Sequence, residues 1–193
     1  MAKKTKSINM VLHHIAKPKI QNLVVNVFTK HYDMFIKQPA GCGNHHAYDG
    51  GLFVHSVSTA GLAAKICDYY HDKNLDKSIA VAGAFLHDVG KVNCYYLDEA
   101  KNRYRSTRDS QWFHHIPIGF HLVASTYEKM DKDSRPSKDD IDHILHIIIS
   151  HHGKKEYSSP RTPRTDESRI VAEADFIDAY MNAGKEYKGM YGK

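Results

Sequence analysis

The run Phe85-Leu86-His87-Asp88-Val89-Gly90-Lys91 decides how this chain is read. It sets an imidazole beside a carboxylate in the last turn of a helical pattern formed by Ile79, Ala82, Phe85, Leu86 and Val89. Further histidines and one aspartate stand around it: His55 upstream, then His114-His115, His151-His152 and Asp175 downstream. Imidazoles and carboxylates without thiolates suit one or two divalent ions such as Mn, Fe, Co, Ni or Zn better than an all-oxygen Mg or Ca cage. A site of that kind does chemistry on phosphate.

Outward from this run, helical periodicity covers most of the chain. Ser7 caps a short helix to about Ile15, and Pro18 opens a second with Ile20, Leu23, Val24, Val27 and Phe28, stopped by Pro39-Ala40-Gly41. Gly50-Gly51 opens a third with Leu52, His55, Thr59, Leu62, Ala63 and Ile66 along one face, so His55 looks inward. The helix from about Lys77 to Val89 ends at Gly90, expected in the left-handed conformation. From Val92 to Leu97 and Arg103 to Thr107 the pattern becomes a β-hairpin around the polar turn Asp98 to Asn102. Its tyrosines and arginines are candidates to touch a base and a phosphate, against the plainer alternative of a solvated hairpin.

Pro117 starts a helix with Ile118, Leu122, Val123 and Tyr127. Ser137-Lys138-Asp139-Asp140 opens another as a capping box, followed by Ile141, Ile144, Leu145, Ile148 and Ile149, with His151 and His152 on the core side of its end. A last helix runs from about Asp166 to Asn182, with Ile170, Val171, Ala174 and Ile177 expected in the core. Asp175 borders that stripe, where a carboxylate is costly unless paired or bound to metal.

Length and composition fit one domain at about residues 18–183, between an N-terminal extension, 1–17, and a tail, 184–193. The 41% hydrophobic and 25% charged residues are ordinary for a globular protein and argue against extended disorder. Fifteen histidines, many in doublets, exceed what a solvated surface collects by chance. His13, His14, His31, His71, His143 and His146 lack a partner motif and are set aside as ordinary rings. Three cysteines outside C-x-x-C spacing suggest neither a disulfide framework nor a thiolate zinc site, and a reducing compartment. No stretch approaches the roughly 20 apolar residues of a membrane span, so a soluble cytoplasmic protein is expected. The net charge of +5 gathers at Lys3 to Lys6, Lys101 to Arg108 and Lys154 to Arg169, which favours anionic substrates.

The order His55, His87-Asp88, Asp175 resembles the HD-domain metal-dependent phosphohydrolase superfamily, and His115 with His151-His152 resembles its two-metal branch. Phe35 with Pro39-Ala40, His45-His46-Ala47-Tyr48, Gly51-Leu52, His55-Ser56, the Leu86 to Val92 run, His115-Ile116 with Gly119, Ser150-His151-His152-Gly153 with Glu156-Tyr157, Ser159-Pro160, Pro163, Thr165, and Asp175 with Asp178-Ala179 narrow the likeness. They resemble the HD domain of YhaM-type 3′-to-5′ exoribonucleases over roughly residues 20 to 182. The resemblance implies an all-α HD-domain bundle with a small β-hairpin insertion near residues 92–108. It also implies two divalent transition metals, the first held by His55, His87, Asp88 and Asp175. The second would be bridged by Asp88 and held by His115 with His151, His152 or both.

Asp88 and Lys91 are the expected catalytic residues, Lys91 standing where its ammonium meets a phosphate oxygen. His45 and His46 are candidates for binding substrate phosphate or a further metal, and Arg161 and Arg164 for binding substrate phosphate. The expected activity is a metal-dependent phosphohydrolase, foremost a 3′-to-5′ exonuclease-like phosphodiesterase on single-stranded nucleic acid. The alternatives are a stand-alone (deoxy)nucleotide phosphohydrolase and a non-catalytic nucleic-acid-binding or regulatory module. Expected partners are nucleotides or single-stranded nucleic acid, and no membrane. The exoribonucleases it resembles carry an OB-fold ahead of the HD domain, where this sequence has room for a short helix. The stretch between Lys91 and His115 is longer and richer in Tyr and Arg than theirs, so a reshaped pocket mouth is expected.

Overall fold

Helices with one apolar face make up most of the regular structure in the computed structural model, which describes residues 2–41 and 46–182. Among the described residues they are α1 (Ala2–His13), α2 (Pro18–Lys30), α3 (Tyr32–Phe35), α4 (Gly51–Tyr69), α5 (Lys77–Leu86), α6 (Arg108–Phe113), α7 (His115–Lys129), α8 (Lys138–Ser150) and α9 (Asp166–Met181). One antiparallel hairpin, β1 (Tyr95–Asp98) and β2 (Arg103–Ser106), accompanies them. The fold is the all-α bundle with a small hairpin.

α5 is the centre of the bundle. Every residue from Ser78 to Leu86 is buried, because α4, α8, α9 and α2 close around it. A helix hydrophobic on all sides belongs in such a position. Its start is fixed by Asp76, whose carboxylate accepts from the Ile79 amide. Phe85 stacks on Phe35 with ring centroids 5.4 Å apart, and Phe28 meets both edge-on at 5.7 and 5.5 Å. This aromatic cluster ties α2 and α3 to α5 and fixes the direction in which His87 and Asp88 emerge.

Several boundaries differ from the sequence expectation. α1 begins at Ala2 rather than at Ser7. The helix opened by Pro18 stops at Lys30, and α3 adds a single turn before Pro39. Gly90 is not left-handed: after α5 the chain tightens into a 3-10 turn over Val89–Asn93, and positive φ among glycines occurs at Gly50 and Gly153. Glycine is required at 90 by a close approach instead. A Cβ there would lie 2.0 Å from the His115 carbonyl oxygen and 2.5 Å from the Gly119 amide nitrogen.

The hairpin is shorter than expected, since Val92, Asn93 and Cys94 belong to the 3-10 turn and its exit. Its ladder pairs Tyr95 with Ser106, Tyr96 with Arg105, Leu97 with Tyr104 and Asp98 with Arg103. Ser137 caps α8, accepting from the Asp140 amide, and Thr165 with Ser168 forms a capping box on α9 that the sequence reading did not single out. Ile177 is 43% exposed rather than buried, because α9 turns Asp178 inward beside it. Among the described residues no helix is long and apolar enough to cross a membrane.

Candidate metal centre

Five structural elements deliver one buried cluster. His55 comes from the middle of α4, His87 and Asp88 from the end of α5, and His115 from the first position of α7. His151 and His152 follow α8 directly, and Asp175 projects from α9. His55, His87, Asp88, His115 and His151 are buried, while His152 and Asp175 are half-buried. The cluster therefore sits within the helical core with one side toward solvent.

Four donor atoms form its first half. His55 Nε2 lies 3.1 Å from His87 Nε2, 3.0 Å from Asp175 Oδ1 and 3.5 Å from Asp88 Oδ2. His87 Nε2 lies 3.3 Å from Asp88 Oδ2 and 3.6 Å from Asp175 Oδ1. Donors about 2.1 Å from one ion stand about 3.0 Å apart at right angles and about 3.4 Å apart at the tetrahedral angle. The observed spacings match such a shell.

Hydrogen bonds behind the rings support the same reading. His87 Nδ1 donates to the Ala84 carbonyl at 2.6 Å, and His55 Nδ1 donates to Asp178 Oδ2 at 2.7 Å. Each ring thus presents the Nε2 lone pair toward the other and toward two carboxylates. Such a face requires a cation, either a proton or a metal. Burial opposes charge on His55, but Asp175, Asp178 and Asp88 outweigh it and raise its pKa well above that of free imidazole. His87, where Asp88 and Asp175 likewise overcome burial, is pushed up to about 9.

The second half surrounds the other oxygen of Asp88. Asp88 Oδ1 lies 3.2 Å from His115 Nε2 and 3.6 Å from His151 Nε2, and none of the three atoms has a hydrogen-bond partner. Buried polar atoms left so are rare and each costs about 1–3 kcal/mol. His151 Nδ1 donates to the Ile148 carbonyl at 2.7 Å, and His152 Nδ1 to that of Tyr157 at 2.6 Å, so both Nε2 atoms are free acceptors. The donors of His115, His151 and His152 lie within 4.8 Å of one another. Burial holds His115 well below the ordinary imidazole pKa, and burial with His151 pushes His152 down to about 4. Neutral imidazoles are what a metal takes.

Asp88 therefore turns one oxygen to each half. Burial opposes its charge, yet Lys91 and His87 outweigh this and hold it well below the usual carboxylate range. Lys91, itself buried, places Nζ 2.6 Å from Asp88 Oδ2. The structure thus brings together His55, His87, Asp88, Lys91, His115, His151, His152 and Asp175.

The substrate-binding candidates are placed differently. His45 lies outside the described residues. His46 is buried, with Nε2 3.0 Å from Asp178 Oδ2 and Nδ1 2.8 Å from the Tyr48 hydroxyl. It is engaged behind His55 rather than turned to solvent. Arg161 and Arg164 are exposed on the loop after His152, their amides donating to the Ile149 carbonyl and to His146 Nε2.

Two residues at the site were not assigned a role from sequence. Asp178 accepts from His55, His46 and the Ser58 hydroxyl, and so orients His55. Its signal was present: it stands one turn after Asp175 on the same helix. His114 packs its ring 4.2 Å from that of His115 and 5.8 Å from that of His152. Its backbone, φ 63 and ψ 155, lies in a region that only glycine visits freely.

Comparison with known families places these observations. The TraI_2 "Putative helicase" family model matches residues 2–94. The model of the HD domain matches residues 52–180, a span that holds every donor of the cluster. No solved structure matches the chain. With a helical bundle that gathers its histidines and aspartates at one buried centre fit for divalent metal, the chain belongs to the HD-domain family of metal-dependent phosphohydrolases.

Proposed function

We propose that the protein is a phosphodiesterase that removes nucleotides from the 3′ end of single-stranded nucleic acid, in the manner of the YhaM-type exoribonucleases it resembles. The observation that carries this reading is Asp88, one oxygen facing His55 and His87, the other facing the two orphaned nitrogens of His115 and His151. His55, His87, Asp88 and Asp175 would hold one divalent ion, and Asp88, His115, His151 and His152 a second. When bound, such a pair lowers the pKa of water toward neutrality and neutralises phosphoryl oxygens.

The chain's own groups prepare the reaction. The Ala84, Ile148 and Tyr157 carbonyls and the Asp178 carboxylate accept hydrogen bonds from the Nδ1–H groups of His87, His151, His152 and His55, which aims the four Nε2 atoms inward before any ligand arrives. His46 and Ser58 donate to Asp178 and hold it in place. Lys91 sets a buried positive charge against Asp88, at the edge where a phosphoryl group gathers negative charge in the transition state. The half-buried side at His152 and Asp175 is the entry for the phosphoester.

The test is a metal-dependent assay series. With Mn present, 5′-labelled single strands of RNA and DNA should shorten stepwise from the 3′ end with release of mononucleotides. Release of phosphate or triphosphate from free nucleotides, with strands left intact, would replace this reading with a nucleotide phosphohydrolase. Metal bound without hydrolysis of either substrate would replace it with a non-catalytic module.

A further inference from the structure

The excursion between Lys91 and His115 carries a surface that the metal centre does not use. It is anchored beside the centre. Its first strand leaves the turn that follows Asp88, and α6 runs directly into His114 and His115. Thr107 closes the base, its amide donating to the Cys94 carbonyl at 2.9 Å and its hydroxyl to that of Asn93 at 2.8 Å. Tyr104 fastens the hairpin to the segment before α4, donating to Asp49 Oδ1 at 2.7 Å.

The outer side of this excursion is aromatic and cationic. Tyr96, Trp112 and Phe113 are 48%, 66% and 56% exposed. Arg103, Arg105 and Arg108 are exposed on the same excursion, Gln111 of α6 lines one pocket with Tyr96, Arg103 and Arg105 of the hairpin, and the Arg108 guanidinium lies 4.0 Å over the Trp112 ring. Tyr96 and Arg105 are opposite one another in the ladder, and Arg103 shares their face. Arg105 meets Asp98 at 3.1 Å, an exposed pair weak enough to be exchanged for another anion. Large rings left about half in water contribute less to the fold than buried ones would. Rings interleaved with guanidinium groups complement a ligand that alternates flat bases with phosphates.

We propose that the hairpin and α6 form a platform for single-stranded nucleic acid. Bases stack on Tyr96, Trp112 and Phe113, while Arg103, Arg105 and Arg108 take backbone phosphates and lead the strand's end to the centre. The platform rests on the phosphodiesterase reading and deepens it: the substrate is a strand held over several nucleotides, not a free nucleotide.

Trp112 is the single tryptophan of the chain, so its fluorescence reports on this surface alone. The metal-loaded full chain is titrated with a phosphorothioate-linked thymidine 12-mer, then with thymidine mono- and triphosphate. The strand should quench Trp112, with an affinity that falls steeply as salt rises, and the nucleotides should not. No quenching by the strand, or equal quenching by nucleotides, overturns the platform; the first result would leave the surface to a protein partner.

Arg103→Ala and Trp112→Ala provide a second reading. Each should lower the ratio of kcat/KM for an ordinary thymidine 12-mer to that for thymidine 5′-(p-nitrophenyl phosphate) by about tenfold. An equal fall on both substrates would mean that the excursion merely supports the centre, which overturns the proposal. Quenching by the strand with neither diester hydrolysed would support the platform while removing the phosphodiesterase reading.

Discussion

At the scale of single residues, Asp88 is the hinge of the proposed centre because its two oxygens serve two groups of imidazoles. Asp88→Ala should abolish binding of both ions, whereas His115→Ala should leave the first in place. Metal analysis of the purified variants decides this, and an unchanged stoichiometry in Asp88→Ala removes the bridging role. His114 offers a different experiment. Its φ of 63 and ψ of 155 cost about 1–3 kcal/mol for a residue with a Cβ. His114→Gly should therefore raise stability in urea by about 1 kcal/mol, after the entropy of an added glycine. A lower stability would show that the ring contacts outweigh the backbone. The residues that sequence made visible carried their own signals: a His-Asp dipeptide, histidine doublets, a carboxylate beside an apolar stripe. Asp178 was legible as a position but not as a partner of His55, since the imidazole it meets is more than a hundred residues away in sequence.

At the scale of elements, the contact of the 3-10 turn with α7 sets the reach of the second half of the centre. Gly90 and Gly119 let the two backbones touch, and His115 starts the helix that lies there. Gly90→Ala should cost about 3 kcal/mol through overpacking against backbone that cannot move aside. It should also weaken the second ion more than the first, measurable by calorimetric titration; equal weakening would mean that the contact supports the fold as a whole. Helix period and capping showed where α2, α4, α5 and α8 run. They failed at Gly90 because a local rule for ending helices was applied where the constraint comes from another helix. They failed likewise at Val92 and Cys94, whose apolar side chains are buried in and just after a turn and not in a strand.

At the scale of the whole molecule, the ions would be part of the fold, since α4, α5, α7, α8 and α9 all supply donors. Ligands that bind the native state raise Tm by mass action, and here they displace protons. With its pKa raised to about 9, His87 gives the metal-free protein a stabilisation that is complete below its unfolded value of about 6.5 and lost as pH climbs through 9. A metal competes with that same proton. The increment in Tm from saturating Co should therefore grow between pH 6.5 and 9, as read by scanning calorimetry with and without the ion. A flat or falling increment would remove proton competition at this half of the centre. The helical class and the order of donors were legible along the chain, while their convergence depends on α5 being surrounded, which no local pattern records. The position of α9 has one more consequence. Asp175 and Asp178 are among the last described residues to be translated, so a chain still being made holds every other donor without the ability to close the site. The proposed nuclease would in this way stay inert beside the message and ribosome that produce it until synthesis has passed α9.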